Sequence, residues 1–243
     1  ICTSTVGAAT SRIACRFGID DPAILESIPD AGDRPNGSSH PVTLTPALIS
    51  ALTGDRLAIP ELRSAADVRI LEGIVHRVPR LGEAAGWNVR FGRELNATDD
   101  RPHFHAGRHG LPVLEGKHIA PFRAHPDRSN TRITEKTAAR LLDAARTFMR
   151  PRLGYRDVAS STNRLSLIAA ILPAGVVTTH SLFCLKTHLS GDSQAFLCGM
   201  LNSFVANYLV RQVMTTHLGS ATVEDLRVPR PRCDSPAFTE IVG

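Results

Sequence analysis

Two short stretches hold the side chains most able to do chemistry. Thr178-Thr179-His180-Ser181 sets an imidazole among three hydroxyls, and His103-Phe104-His105-Ala106-Gly107-Arg108-His109 places three imidazoles close together. The first invites a nucleophile reading, a serine activated by a neighbouring base. No Gly-x-Ser-x-Gly elbow frames Ser181, however, and no partner acid is evident. The second could open a zinc site, but zinc takes three or four ligands and no cysteine or carboxylate pair completes the set at suitable spacing. A basic loop of titratable donors is the better reading. Neither a Gly-x-Gly-x-x-Gly turn nor a phosphate-binding Gly-x-x-x-x-Gly-Lys-Ser/Thr loop occurs. Asp20-Asp21-Pro22 touches an Asp-Pro-Pro-aromatic motif without its second proline or its aromatic, and reads as the start of a short helix over residues 23–27. With no cofactor loop and no catalytic constellation, the chain reads as a binding module.

Charge says what it could bind. The net charge is only +5, yet residues 101–164 hold 13 Lys and Arg against 5 Asp and Glu, while the rest of the chain is net acidic. Five of the ten histidines (His103, His105, His109, His118 and His125) lie in the same segment. A concentrated basic field attracts a polyanion by releasing its counterions. The alternative is a merely solvated basic face. Aromatic residues make up 5% of the chain, too few for a run of single-strand stacking platforms. Five scattered cysteines without a Cys-x-x-Cys fit a reducing cytoplasm, with Cys184 and Cys198 as small buried hydrophobes. No apolar run approaches about 18 residues, so no membrane helix is expected. The first residues lack the basic start and apolar block of a signal peptide. A chain opening on Ile1 reads as a piece of a longer polypeptide.

The elements that must position these groups are legible in outline. Residues 1–40 end in a Gly, Ser, Asp and Pro-rich stretch and are expected to be a linker or the tail of an upstream domain. Residues 41–78 form a helical connecting region. One helix is capped by Thr45 with Pro46 first and stops at Gly54, and a second runs from the Ser64 cap to about Arg77. Alternating Trp87, Val89 and Phe91 predict a strand. Residues 111–122 predict two short strands, with Lys117 and His118 at the turn between them. Residues 134–148 predict an amphipathic helix with Ala138, Leu141, Leu142 and Ala145 inward. The organising stretch, residues 155–187, predicts strand, turn, strand broken at Pro173-Ala174-Gly175. Residues 193–215 predict one long buried helix. Residues 226–231 are extended, and 233–243 a tail. The layout is α+β (mixed α/β): a twisted, mostly antiparallel sheet with packed helices.

Three segments then resemble a known family. Leu111-Pro-Val-Leu-Glu-Gly-Lys-His-Ile-Ala-Pro-Phe122 resembles the polar-Gly-Lys-x-Ile-x-x-Phe opening of target-recognition domains in adenine-N6 DNA methyltransferases. Residues 156–186, with Val158-Ala-Ser-Ser-Thr-Asn163-Arg164 and Ile168-Ala-Ala-Ile-Leu-Pro173, resemble the segment that follows in those domains. Residues 196–231, from Leu201-Asn202-Ser203 to Leu226-Arg-Val-Pro229, resemble their closing helix and extended end. The resemblance implies kinship with C-terminal specificity domains of single-chain Type II restriction-modification enzymes, the Taq type. The resemblance covers residues 79–231, so residues 79–232 are expected to form a DNA target-recognition domain. It implies double-stranded DNA as partner, read through base edges in the major groove. It also implies a methyltransferase catalytic domain in the same or another chain, where S-adenosylmethionine is used and the target adenine flipped. The methyl-donor loop and Asn/Asp-Pro-Pro-Tyr/Phe of such a domain are missing here, and no cofactor, metal or catalytic residue is expected in this chain.

On that reading Lys117, Arg123, Arg128, Arg132 and Arg156 are candidate phosphate contacts. His118, Asn163, Arg164, Thr178, Thr179 and His180 are candidates for base or phosphate contact, although Thr162-Asn163-Arg164 could instead hold a turn through side-chain hydrogen bonds. Thr215, Thr216 and His217 are expected to cap a helix end and touch the backbone. Target-reading residues are expected in residues 93–110 and 125–134. Two rivals stand beside this: a protein-interaction module docking a partner enzyme of a bacterial defence system, and a hydrolase at His180.

Overall fold

A computed structural model describes residues 9–28, 40–54, 57–142, 146–158, 164–214 and 216–243. The chain divides into two compact units, one ending at Val78 and one beginning at Pro79. In the first, strand β1 (Ile13–Cys15) pairs antiparallel with β2 (Val42–Leu44), so the segment expected to be a linker or tail supplies a strand. Helix α1 (Ala23–Glu26) lies between them in sequence. Helix α2 (Pro46–Thr53) has its expected cap, with the Thr45 hydroxyl accepting from the Leu48 amide, and stops at Gly54. Helix α3 (Ala65–Val75) opens on a reciprocal capping box between Ser64 and Asp67. Val42, Leu44, Leu62 and Leu71 are fully buried.

The second unit is α+β, built on two four-stranded sheets rather than one. Its strands are β3 (Phe91–Gly92), β4 (His105–Ala106), β5 (Leu111–Leu114), β6 (Ile119–Ala120), β7 (Arg123–Ala124), β8 (Thr131–Ile133), β9 (Arg152–Arg156), β10 (Ala169–Leu172), β11 (Val177–Thr178) and β12 (Leu182–Leu185). The first sheet has the order β10-β9-β12-β3, all antiparallel, and the second β11-β5-β8-β4, with β11 parallel to β5. Strands β6 and β7 form a separate hairpin.

The organising stretch therefore threads both sheets. It leaves the first at β10, turns through Gly175 at φ 76°, adds β11 to the second, and returns to the first at β12. Two cores follow. One gathers Leu114, Ile119, Ala170, Leu172, Val176, Leu182 and Cys184, and the other Leu95, Val113, Ile133, Ala138, Phe148 and Val177. The Leu172 side chain of β10 packs over Gly154 of β9, where a Cβ would lie 2.9 Å from its Cδ1.

Several expected elements are re-cut by tertiary demands. Of the alternating run, only Phe91 lies in a strand, while Trp87 and Val89 are buried in turn and irregular chain. Strands β5 and β6 flank a 3-10 turn, Gly116–His118, and belong to different sheets. Helix α4 (Glu135–Leu141) is shorter than expected and Ala145 lies outside the described residues.

The long buried helix is two helices, α5 (Gly191–Leu201) and α6 (Phe204–Arg211). It breaks because Asn202 and Asn207 are needed as clamps. The Asn202 side chain accepts from the Ala169 amide (3.1 Å) and donates to its carbonyl (2.9 Å), acting as a strand partner for β10. Asn207 Oδ1 accepts from the amides of Ser166 (2.7 Å) and Leu167 (2.9 Å). The Ser203 hydroxyl then caps α6 by accepting from Ala206. Phe204 and Val205, expected inside, are 72% and 58% exposed. Helix α7 (Ser220–Glu224) follows, and the expected tail folds back as α8 (Pro236–Val242), where Phe238 stacks on Phe196 of α5 with centroids 5.0 Å apart.

Losing both Asn207 bonds strands two buried amides, each worth roughly 1–3 kcal/mol. Asn207→Ala is expected to lower unfolding free energy by about 3 kcal/mol, measured by urea denaturation. An unchanged midpoint would show that the clamp carries no load.

Candidate nucleic-acid interface

The polar knot of the organising stretch is an internal joint between the sheets. Glu94, two residues past β3, receives both the amide (2.8 Å) and the hydroxyl (3.0 Å) of Thr178 on Oε2. The same carboxylate takes a bidentate pair from Arg152 at the start of β9, both bonds 2.8 Å. Arg152 also donates to the Val176 carbonyl (3.0 Å). The Thr179 hydroxyl pairs with that of Ser181 (3.0 Å), which accepts from the Gly116 amide (3.0 Å). His180 is half-buried, and its Nδ1 accepts from the Ala97 amide (3.1 Å).

Thr178 and Thr179, expected to face a ligand, are thus fully buried, and His180 is engaged. The correction has a plain cause. A chain that crosses from one sheet to another leaves amides without ladder partners, and buried amides need acceptors. The Glu94 carboxylate, the Ser181 hydroxyl and the His180 imidazole supply them. Ser181 is likewise occupied, and Cys184 beside Thr178 has its thiol pushed up to about 11 by burial.

His118 is also corrected from contact residue to joint. It is buried in the 3-10 turn, where its Nδ1 accepts from the Glu115 amide (2.9 Å) and the ring bonds to the backbone of Arg128. Burial, reinforced by the Lys117 charge, pushes its pKa below the usual value, so the ring is held neutral.

Cations remain on the outside. Strand β4 pairs with β8 at the open edge of the second sheet, with His105 opposite Arg132. That pairing brings together residues 93–110 and 125–134, the two loops expected to read a target. Arg101, Arg108 and Arg128 on these loops are exposed and make no ion pair among the described residues, nor does exposed Arg123 on β7. Arg132 is half-buried, its guanidinium bound to the carbonyls of Ser129 and Thr131. Lys117 is exposed and paired with Glu115 at 2.7 Å, a surface contact that holds it loosely. Arg156 is half-buried, with its Nε lacking a partner among the described residues. Arg164 is exposed, its carbonyl receiving Arg211 (2.7 Å). Asn163 and Thr215 lie outside the described residues.

His217 meets a cluster that sequence order conceals. Buried Asp157 accepts from Arg93 (2.9 Å) and lies 3.5 Å from His217, while Arg93 covers the Phe183 ring at 4.8 Å. The Leu218 amide donates to the Asp157 carbonyl (2.8 Å). No local spacing signals this contact, because its members come from the end of β3, the end of β9 and the chain after α6. Among the described residues, no group of three or more His, Cys, Asp or Glu side chains is placed to hold a metal ion, and no helix is long and apolar enough to cross a membrane. No protein-family model matches this chain, and no curated protein matches its sequence.

Two outcomes follow from the joints. Glu94→Gln leaves the Arg152 guanidinium buried without its counter-charge and should cost about 3–5 kcal/mol in urea unfolding. Replacing the pair together by Glu94→Leu and Arg152→Met should restore part of that loss. For His118 the unfolded chain binds a proton near pH 6.5 and the folded chain only at lower pH, so its contribution is complete above 6.5 and lost as pH falls. Stability should therefore drop on acidification below 6.5, and His118→Gln should flatten that part of the profile.

Proposed function

We propose that this chain is the DNA sequence-recognition part of an adenine-specific DNA methyltransferase or fused restriction-modification enzyme. The observation that supports it most is the β4–β8 pairing, which sets side by side at one sheet edge two loops whose Arg101, Arg108 and Arg128 make no ion pair among the described residues. Arg108 and Arg128 there, with Arg123 and Lys117 nearby in sequence, would neutralise phosphates and fix register on duplex DNA. Bases would be read by loop side chains around His105 and His109, since the hydroxyls of Thr178 and Thr179 are spent inside. The resemblance of three ordered segments to target-recognition domains supports the same reading. Methyl transfer, with its S-adenosylmethionine, belongs on this proposal to a catalytic domain of the same or another polypeptide in the cytoplasm.

A docking module of a defence system is the second reading, favoured by one observation, the exposed Phe204 and Val205 at the start of α6. It leaves those arginines without a role.

Duplex binding measured by fluorescence anisotropy across a salt series tests the proposal. About six phosphate contacts give a log–log slope near −5. The double variant Arg123→Ala, Arg128→Ala should make the slope shallower by about two and weaken binding to all sequences alike. Absent or salt-independent binding, both alone and with the catalytic part added, would overturn it.

A further inference from the structure

The hairpin β6–β7 ends in a two-residue turn, Pro121-Phe122, with Ala120 opposite Arg123. Phe122 sits there at φ 66°. A positive φ after a proline is the pattern of a type II turn, whose third position glycine or asparagine normally fills. A phenylalanine pays conformational strain at such a site, of the kind that gathers where a surface does work. Nothing inside the fold compensates through the ring, because Phe122 is 59% exposed. Its backbone is nonetheless held, the Phe122 amide donating to the Ala169 carbonyl (2.9 Å), the same oxygen that Asn202 clamps. A rigid turn thus holds a bare aromatic ring outward.

The surroundings say what the ring meets. Arg123 follows it directly, exposed and without an ion pair among the described residues. Arg128 lies just beyond, at the end of a 3-10 turn, Pro126–Arg128, tied through its backbone to His118. The acidic residues nearest in sequence, Glu115 and Asp127, stand one on each side, and Glu115 is already paired with Lys117. An apolar ring beside exposed cations that make no ion pair among the described residues fits a ligand with a flat π-face and flanking negative charge, as a nucleobase between phosphates has.

We infer that Phe122 is a wedge that stacks on an unstacked base or base step of the bound duplex. The inference rests on the DNA-recognition reading and names the ring that touches the bases. Apolar side chains entering a step partly unstack it, and the unstacking is cheapest where pairing is already imperfect.

The test uses the whole chain and two short duplexes of one sequence, fully paired or with a single central mismatch. The wild-type protein should prefer the mismatched duplex several-fold. Phe122→Gly should relieve the turn and keep or raise the thermal midpoint. It should also lose about tenfold in affinity for the mismatched duplex, the size of one lost base–aromatic stack. Its salt slope should stay unchanged, since no charge is removed, and Phe122→Trp should keep the preference. Equal binding of both duplexes by wild type and Phe122→Gly, with a steep salt slope, would overturn the wedge and leave DNA recognition standing. No binding to either duplex by the wild type would overturn both. A Phe122→Gly protein that melts markedly lower would show the ring to be structural and overturn the wedge as well.

Discussion

The second unit depends on one buried carboxylate. Glu94 joins Arg152, on the strand that runs through the middle of the first sheet, to Thr178, on the edge strand of the second. Without it, a guanidinium would sit in the interior uncompensated, which costs far more than an exposed ion pair returns. The pair therefore constrains how the sheets meet and where the chain between them can run. Leu95 extends the joint by donating its amide to the Thr178 carbonyl (2.9 Å).

This constraint decides which polar groups are left for a partner. The Glu94 carboxylate accepts from the Thr178 amide and the Ser181 hydroxyl from the Gly116 amide, while the imidazoles of His118 and His180 accept from Glu115 and Ala97. The polar side chains of residues 178–181 are thus engaged in the frame. Among the residues that face outward are Arg101, Arg108 and Arg128 on loops and turns and Arg123 on β7, together with Phe122. Division of labour between a rigid polar interior and a cationic rim suits a surface that must present charge in a fixed pattern.

The helical layer serves the same frame. Helix α5 buries Phe196 and Leu197 and is covered by α8, while the Asn202 and Asn207 side chains reach out of the helices to close backbone groups of residues 166–169. Residues 165–168 are too irregular to close themselves through a ladder, so the helices must do it. That requirement places a break between α5 and α6 and turns Phe204 outward.

By itself the sequence determined what local physics controls. The caps at Thr45 and Ser64, the stop at Gly54, the apolar segments that hold Cys184 and Cys198, and the concentration of charge in residues 101–164 follow from neighbours a few residues apart, and the α+β class from the order of such local signals. Tertiary structure alone decided the rest. Thr178-Thr179-His180 reads as a polar surface knot until Glu94, more than eighty residues away, is placed against it. The Arg93–Asp157–His217 cluster and the β4–β8 edge exist only because distant chain segments meet. Phe122 reads as an apolar end to a strand, and its exposure depends on a backbone turn that hydrophobic patterning does not encode. Short-range propensity acts through the backbone next door, whereas burial and pairing depend on which segments the whole chain brings together.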